Sequence, residues 1–367
     1  MVTYRILVRE LREIIGGTQI PAYIPMSFTA DQNNIFLGEL QNFRNLKFGK
    51  RLNNYGSLSF EIPANDPKAS SLVGLRKYGV WVYRVEDDVS TLVWSGEQAM
   101  REGNLDNEGN NWVRIYCYDW LELLNHRFTG VLKEFDGIDA GQIAWTLIEE
   151  TQEDSYGNLF ITEGEIEATM DRDRKYYNQN IMEAIINLSD VLSGFDFEIT
   201  DDMVFNVKTL IGEDKSDSIL LEYGFNINRA RIIEDFIQPA NRAIVLGEAV
   251  DEDDIQRVER NDTDLQAINK LRESVISEMD VSDVYSLQEK GDSLLRKYGT
   301  ALLKLDIDLL KSSTPNITDF SLGDVIKIKI ENGVYDIDEE YRVYEWEVEY
   351  DDNNVEKLSL VLGKFSL

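Results

Sequence analysis

Apolar and polar positions alternate through most of this chain, and the alternation is the strongest signal it carries. Leu58, Phe60 and Ile62 alternate with Ser59 and Glu61 up to Pro63, a period of two that predicts a half-buried strand. Val80-Trp81-Val82-Tyr83 and Leu92-Val93-Trp94 follow, rich in the β-branched and aromatic residues that suit a pleated surface. The polar piece from Gly103 to Asn111 predicts a hairpin loop feeding a strand over Trp112–Tyr118.

The pattern changes at Asp119. Trp120, Leu121, Leu123 and Leu124 predict a short helix capped by the aspartate. Asp139 is placed to cap a helix carrying Ile143, Leu147 and Ile148. Asn178 or Asn180 would cap another, with Ile181, Ala184, Ile185, Leu188 and Leu192 at helical spacing and Gly194 placed to end it. Phe195, Phe197 and Ile199 then alternate, Asp201-Asp202 turn, and Val204 to Val207 return. That is a helix followed by a hairpin, as in a small α+β domain. Strand character resumes at Ile219-Leu220-Leu221 and from Arg242 to Gly247. Residues 251–301 read as acidic and then helical, with Ser282 as a cap and Val284, Leu287, Leu294, Leu295 and Tyr298 on the helix. The end is β again, at Leu303 to Leu309, Val325 to Ile328, Tyr341 to Val348 and Leu358 to Leu362.

The predicted fold is therefore β-rich and multidomain, α+β overall, with two related β-barrel domains each interrupted by a helical or α+β insertion. The expected boundaries are residues 1–125 for the first barrel, completed by 209–237, with an α+β insertion at 126–208. Residues 238–250 and 303–367 would form the second barrel, around an acidic helical insertion at 251–302. The two β regions also share an order of landmarks. Gly79 and Gly323 each precede an alternating run, a tryptophan strand follows at Trp94 and Trp346, then a polar loop, then a last strand. From glycine to last strand is 33 positions in one and 32 in the other, although the tryptophan stands 15 positions along in the first and 23 in the second.

Composition narrows the function. At 367 residues, 43% hydrophobic and 10% aromatic, the chain has material for roughly two to three packed domains. The formal charge of −31 is spread along the chain, and such a surface repels phosphate backbones and anionic lipid heads. This argues against tight DNA binding and against membrane association. The first ten residues lack the apolar run of a signal peptide, and no stretch approaches the roughly 20 apolar residues that cross a bilayer. Synthesis in the cytoplasm is expected.

Candidate chemistry is sparse. Cys117, the single cysteine, excludes an internal disulfide and sits in an alternating run as a buried small side chain. His126, the single histidine, has no nucleophile signature nearby and reads as a surface or capping residue. One histidine and one cysteine do not make a zinc site. Gly16-Gly17 lacks the spacing and the lysine of a phosphate-binding loop. Asp251-Glu252-Asp253-Asp254 lacks the spaced oxygens and turning glycine of a calcium loop and reads as a solvated charge run. With 68 acidic residues, a close carboxylate pair carries almost no information about glycoside hydrolysis. Trp81, Trp94, Trp112 and Trp120 fit a core or an interface better than a sugar platform. No catalytic, cofactor-binding or metal-ligating residue is assigned, no cofactor is expected, and no enzymatic activity is expected.

Several strings carry a resemblance. Gly56-Ser57-Leu58-Ser59-Phe60-Glu61-Ile62-Pro63 through Asp66-Pro67, then Val82-Tyr83-Arg84 and Val93-Trp94-Ser95-Gly96, resemble the N-terminal barrel of the tail hub proteins of long-tailed bacteriophages, also called baseplate hub or tail-associated proteins. Tyr118-Asp119-Trp120-Leu121, Ala140-Gly141-Gln142-Ile143, Ile181 to Ile185 and Gly194 to Phe197 are similar to the second domain of that family. Arg242 to Gly247 and Leu322-Gly323-Asp324-Val325 are similar to its third. The resemblance implies a structural virion protein: a homotrimeric ring at the tail tip, below the tail tube or a distal tail protein and above the tip or receptor-binding protein. A tape measure protein is a further possible partner, and the ring would form or close the DNA channel. Relatives that carry a wall-degrading or receptor-binding region extend beyond the hub. This sequence ends at Leu367, so those functions are expected on another chain. The alternative is a carbohydrate-binding module or an acid-based hydrolase acting at a cell surface.

Overall fold

The computed structural model describes residues 2–11, 36–72, 78–104, 109, 111–191, 193–235, 240–249, 255–279, 281, 283–299, 302–310 and 315–364. The first β unit is built from β1 (Thr3–Glu10), β2 (Phe36–Leu40), β3 (Arg44–Arg51), β4 (Asn54–Pro63), β5 (Tyr78–Glu86), β6 (Val89–Asn104) and β7 (Trp112–Tyr118). A short helix, α1 (Pro67–Ser71), lies between β4 and β5, with Asp66 as its cap. Asp87 and Asp88, both at positive φ, form the two-residue turn of the β5–β6 hairpin. The alternation read from the sequence is the alternation of burial: Leu58, Phe60, Ile62, Ile115 and Cys117 all face one core.

Asp119 caps the next element as expected, but the element is a 3-10 helix, Trp120–His126. An α+β segment follows: β8 (Lys133–Asp139), α2 (Ala140–Gln152), β9 (Thr162–Ile166), β10 (Asp171–Tyr176), α3 (Ile181–Ser189), β11 (Asp196–Ile199) and β12 (Val204–Lys208). Asp139 caps α2, and Asn180, not Asn178, caps α3. Helix α3 ends at Ser189 with Asp190 as its cap, and Gly194, four residues past the cap, closes a separate turn onto Val191. Leu192 lies outside the described residues. The segment packs around a second core, made by Ile143, Leu147, Ile185, Leu188, Phe197 and Phe205, which Leu7 and Trp81 of the first unit also join.

The second β unit comprises β13 (Leu220–Glu222), β14 (Ile227–Asp235), and, after an insertion, β18 (Leu302–Leu309), β19 (Val325–Asn332), β20 (Tyr335–Tyr350) and β21 (Glu356–Lys364). The insertion holds β15 (Arg242–Ala249), β16 (Ile255–Asn261), α4 (Thr263–Ile268), β17 (Glu273–Ser277) and α5 (Val284–Gly299).

Strand pairing differs from expectation at two places. Residues 209–237 were expected to complete the first barrel; instead β13 pairs with β19 and β14 with β18, inside the second unit. Arg242 to Gly247 was expected in the second barrel; instead β15 lies between β16 and β17 in a separate three-stranded sheet. Both corrections have one cause. Alternation says that a strand buries one face, and does not say which strand lies beside it. The α+β segment thus lies between the two units along the chain, whereas residues 240–299 lie within the second.

The two units share one strand order. Reading across the first gives β3-β4-β7-β6-β5-β1, and across the second β14-β18-β21-β20-β19-β13. Each has a three-strand meander whose middle strand is 16 residues long, entered through a two-residue turn. The correspondence is looser at the first strand, which is antiparallel to its neighbour in the first unit and parallel in the second. The tryptophans used as landmarks are not equivalent: Trp94 lies opposite Val82 of β5, whereas Trp346 lies opposite Leu360 of β21.

Candidate functional site

Where the units meet, β3 pairs antiparallel with β20 over Leu46–Arg51 and Glu345–Tyr350, so a single thirteen-stranded sheet runs through both. The inner side of this seam is aromatic. Phe48 packs edge-on against Trp346 with ring centres 5.9 Å apart, and Tyr4 packs edge-on against Phe48 and Tyr350. The outer side is charged. Lys47 lies 2.6 Å from Glu347 and 3.0 Å from Glu349, and Arg51 lies 3.2 Å from Glu345. At one end Arg84, almost fully buried, donates to Glu356 at 2.9 Å, and the Tyr4 hydroxyl donates to the same carboxylate. Burial and the neighbouring carboxylate push the Tyr4 hydroxyl well above its ordinary pKa.

A second junction ties the α+β segment to both units. Asp196 and Arg342 are buried and paired. Arg342 also donates to the Gly323 carbonyl at 3.1 Å and the Ile211 carbonyl at 2.8 Å, while Asp196 accepts from Asn53 and from the Ile211 amide, each at 2.9 Å. Asn53 sits at φ 56° in the β3–β4 turn, and its side-chain Oδ1 accepts from the Phe197 backbone amide. Next to it, Asp201 accepts from Lys50 at 3.0 Å and from Ser95 at 2.6 Å, and Ser95 accepts from the Trp120 indole at 2.8 Å. Asp119 accepts from the amides of Gly56 and Leu121 at 2.6 and 3.2 Å. Burial nevertheless pushes its pKa up to about 7. The insertion is held to the α+β segment by a third polar contact: the buried pair Arg172–Glu289, bridged by Ser193, which accepts from Arg172 at 3.0 Å and donates to Glu289 at 2.6 Å.

The residues weighed for chemistry are scattered. Cys117 is fully buried in the first unit, and burial pushes its thiol pKa well above the ordinary value. His126 lies 2.9 Å from Glu122, one turn away, with its side chain 55% exposed. Trp94, Trp120 and Trp81 are buried, and Trp112 is covered by the Arg44 guanidinium 3.8 Å above its ring, so the four do not form an exposed platform. Gly16-Gly17, Asp251 to Asp254 and Ser282 lie outside the described residues. Among the described residues, no group of three or more His, Cys, Asp or Glu is placed to hold a metal ion, and no helix is long and apolar enough to cross a membrane. The features that stand out are the seam and the junctions, which sequence reading missed. Their members (Glu347, Arg342, Asp196) are ordinary charges in a chain full of them, and only strand pairing brings them together.

Comparison with protein-family models finds no match, and comparison with curated proteins finds none either. Solved structures do match, over nearly the whole chain. The tail protein from Neisseria meningitidis MC58 aligns with a TM-score of 0.63 at 14% identity, covering 98% of this chain and 96% of that one. The 43 kDa tail protein of prophage MuSo2 from Shewanella oneidensis aligns at 0.60 and 12% identity, covering 98% and 97%. Prophage tail protein gp18 from Listeria monocytogenes EGD-e aligns at 0.56 and 13% identity, covering 97% and 94%. From β1 to β21, the chain has the fold of phage tail proteins.

Proposed function

We propose that this chain is a structural hub of a bacteriophage tail tip: a homotrimeric ring that joins the tail tube, or a distal tail protein, to the tip or receptor-binding protein and surrounds the DNA channel. The observation that supports this best is the repeated strand order. A trimer that meets a six-fold tube has a symmetry mismatch. Two similar β units per chain offset it, because three chains then present six similar surfaces. The shared fold with tail proteins along the full chain points the same way. The alternative, a carbohydrate-binding or acid-based hydrolytic module, is weakened by the burial of Trp81, Trp94 and Trp120 and the covering of Trp112 by Arg44, which leave no sugar platform among the four.

The charge of −31 per chain fits a channel wall that lets a phosphate polymer slide past without gripping it. Native mass measurement of the purified chain tests the ring. The expected species has three times the 42.2 kDa chain mass, and a chain that stays monomeric at tens of micromolar overturns the reading.

A further inference from the structure

Among the described residues the continuous sheet has edges without a ladder at β2, β13, β14 and the end of β6, and the last two are related. Strand β14 is laddered to β18 on one side and is the end of the sheet on the other. Strand β6 is laddered to β7 out to Asn104, but its ladder to β5 stops at Glu97, so its last residues present one open edge.

These two edges correspond to the pair already joined inside the chain. In the shared strand order, β14 takes the place of β3, and β6 the place of β20. The register can be matched residue by residue. Ala99 in β6 and Tyr344 in β20 are each skipped by the ladder to the following strand, a bulge at the same point of the meander. Counting on from the bulge, Met100, Glu102 and Asn104 stand where Glu345, Glu347 and Glu349 stand. On the other strand, Ile232 lies opposite Leu305 as Phe48 lies opposite Leu58, which puts Arg231 in the place of Lys47 and Ile233 in the place of Gly49.

We propose that β14 of one copy pairs antiparallel with the end of β6 of the next copy, in the register of the β3–β20 seam, with Ile233 opposite Glu102 and Arg231 opposite Asn104. The partner is a second copy of this chain, and the contact is head-to-tail, as a closed ring requires. Charge supports the match. Lys47 and Glu347 form the 2.6 Å ion pair of the internal seam, and Arg231 and Glu102 carry the same signs at the same places. Both are exposed, and the in-chain contact of Arg231, to Asp306, is at 3.4 Å with the arginine side chain 66% exposed. The inner face is not repeated: Ile232 and Arg101 stand where Phe48 and Trp346 pack. The seam between copies is therefore more polar than the seam within the chain, and it forms between copies that have already folded.

This inference rests on the ring reading, and one experiment separates their failures. Residues directly opposite in an antiparallel pair have Cα atoms about 4.5–5.5 Å apart, within the reach of a disulfide. A chain carrying both Glu102→Cys and Ile233→Cys, with the native Cys117 buried, is oxidised and run on a non-reducing gel beside a native mass measurement. Covalent trimers are expected. A native trimer without cross-links overturns the strand pairing and leaves the ring intact; monomers alone overturn the ring and the pairing with it. In parallel, Glu102→Lys weakens self-association by on the order of tenfold, and Arg231→Glu in the same chain restores it. Failure of the restored charge pair to recover association also overturns the register.

Discussion

Replacing Arg342 with methionine tests whether the junction between the α+β segment and the two β units holds the fold together. Arg342 and Asp196 are each at most 6% exposed, so neither can turn to water when its partner is lost. Arg342→Met leaves the Asp196 carboxylate, among the described residues, to the Asn53 and Ile211 amides, and it removes the donor from the Gly323 and Ile211 carbonyls. Breaking one side of a buried pair costs about 3–5 kcal/mol, most of it from the stranded charge. Asp196→Asn alone strands the guanidinium and is expected to cost a similar amount. The double variant strands neither charge, so its loss should fall well short of the sum, with a coupling of about 2 kcal/mol or more. Urea unfolding followed by tryptophan fluorescence measures all three, since the six tryptophans are spread over both β units and the α+β segment. A loss below about 1 kcal/mol for Arg342→Met, or additivity of the two changes within about 0.5 kcal/mol, would mean that the buried pair does not hold the junction.

Three other outcomes are expected. Asp119 has its folded pKa raised from 3.8 to about 7, so its share of stability is full below the lower value and is lost as pH rises through the upper one. Asp119→Asn should flatten the fall in unfolding midpoint across that window, and an unchanged slope counts against the assignment. For Arg172–Glu289, changing the arginine alone to methionine should cost about 3–5 kcal/mol, whereas making both residues apolar should come near to neutral; equal losses would contradict this. His126→Ala should leave stability within about 1 kcal/mol and leave assembly and infectivity near wild type, because the imidazole is half exposed and its polar contact is to Glu122, four residues back along the same helix. Loss of infection by otherwise normal particles would assign His126 a role in infection.

The sequence was most legible where one face of a strand or helix is buried. Leu58-Phe60-Ile62 and Leu358-Leu360-Leu362 announced β4 and β21, and Asp139 and Asn180 marked the starts of α2 and α3. It was least legible in the insertion. Strands β16 and β17 are Ile255-Gln256-Arg257-Val258-Glu259-Arg260-Asn261 and Glu273-Ser274-Val275-Ile276-Ser277, whose thin apolar content hid them inside an acidic stretch read as helical. The shared order of the two units was visible in outline, yet the tryptophan chosen as its landmark lies at different places in the two meanders. Hairpin turns and bulges fix the register, and side-chain type at one position does not. The seam between β3 and β20 could not be read at all, because its partners lie some three hundred positions apart and strand alternation does not specify neighbours.

The most direct test of the central claim is a cryo-electron-microscopy reconstruction of a tail that carries this chain, without imposed symmetry. Three copies are expected in a closed ring at the tip end of the tube, with the β3–β4–β7 and β14–β18–β21 strands alternating as six similar units around one channel. A single copy, an open arrangement, or a ring in which the two β units occupy unrelated positions would contradict the claim.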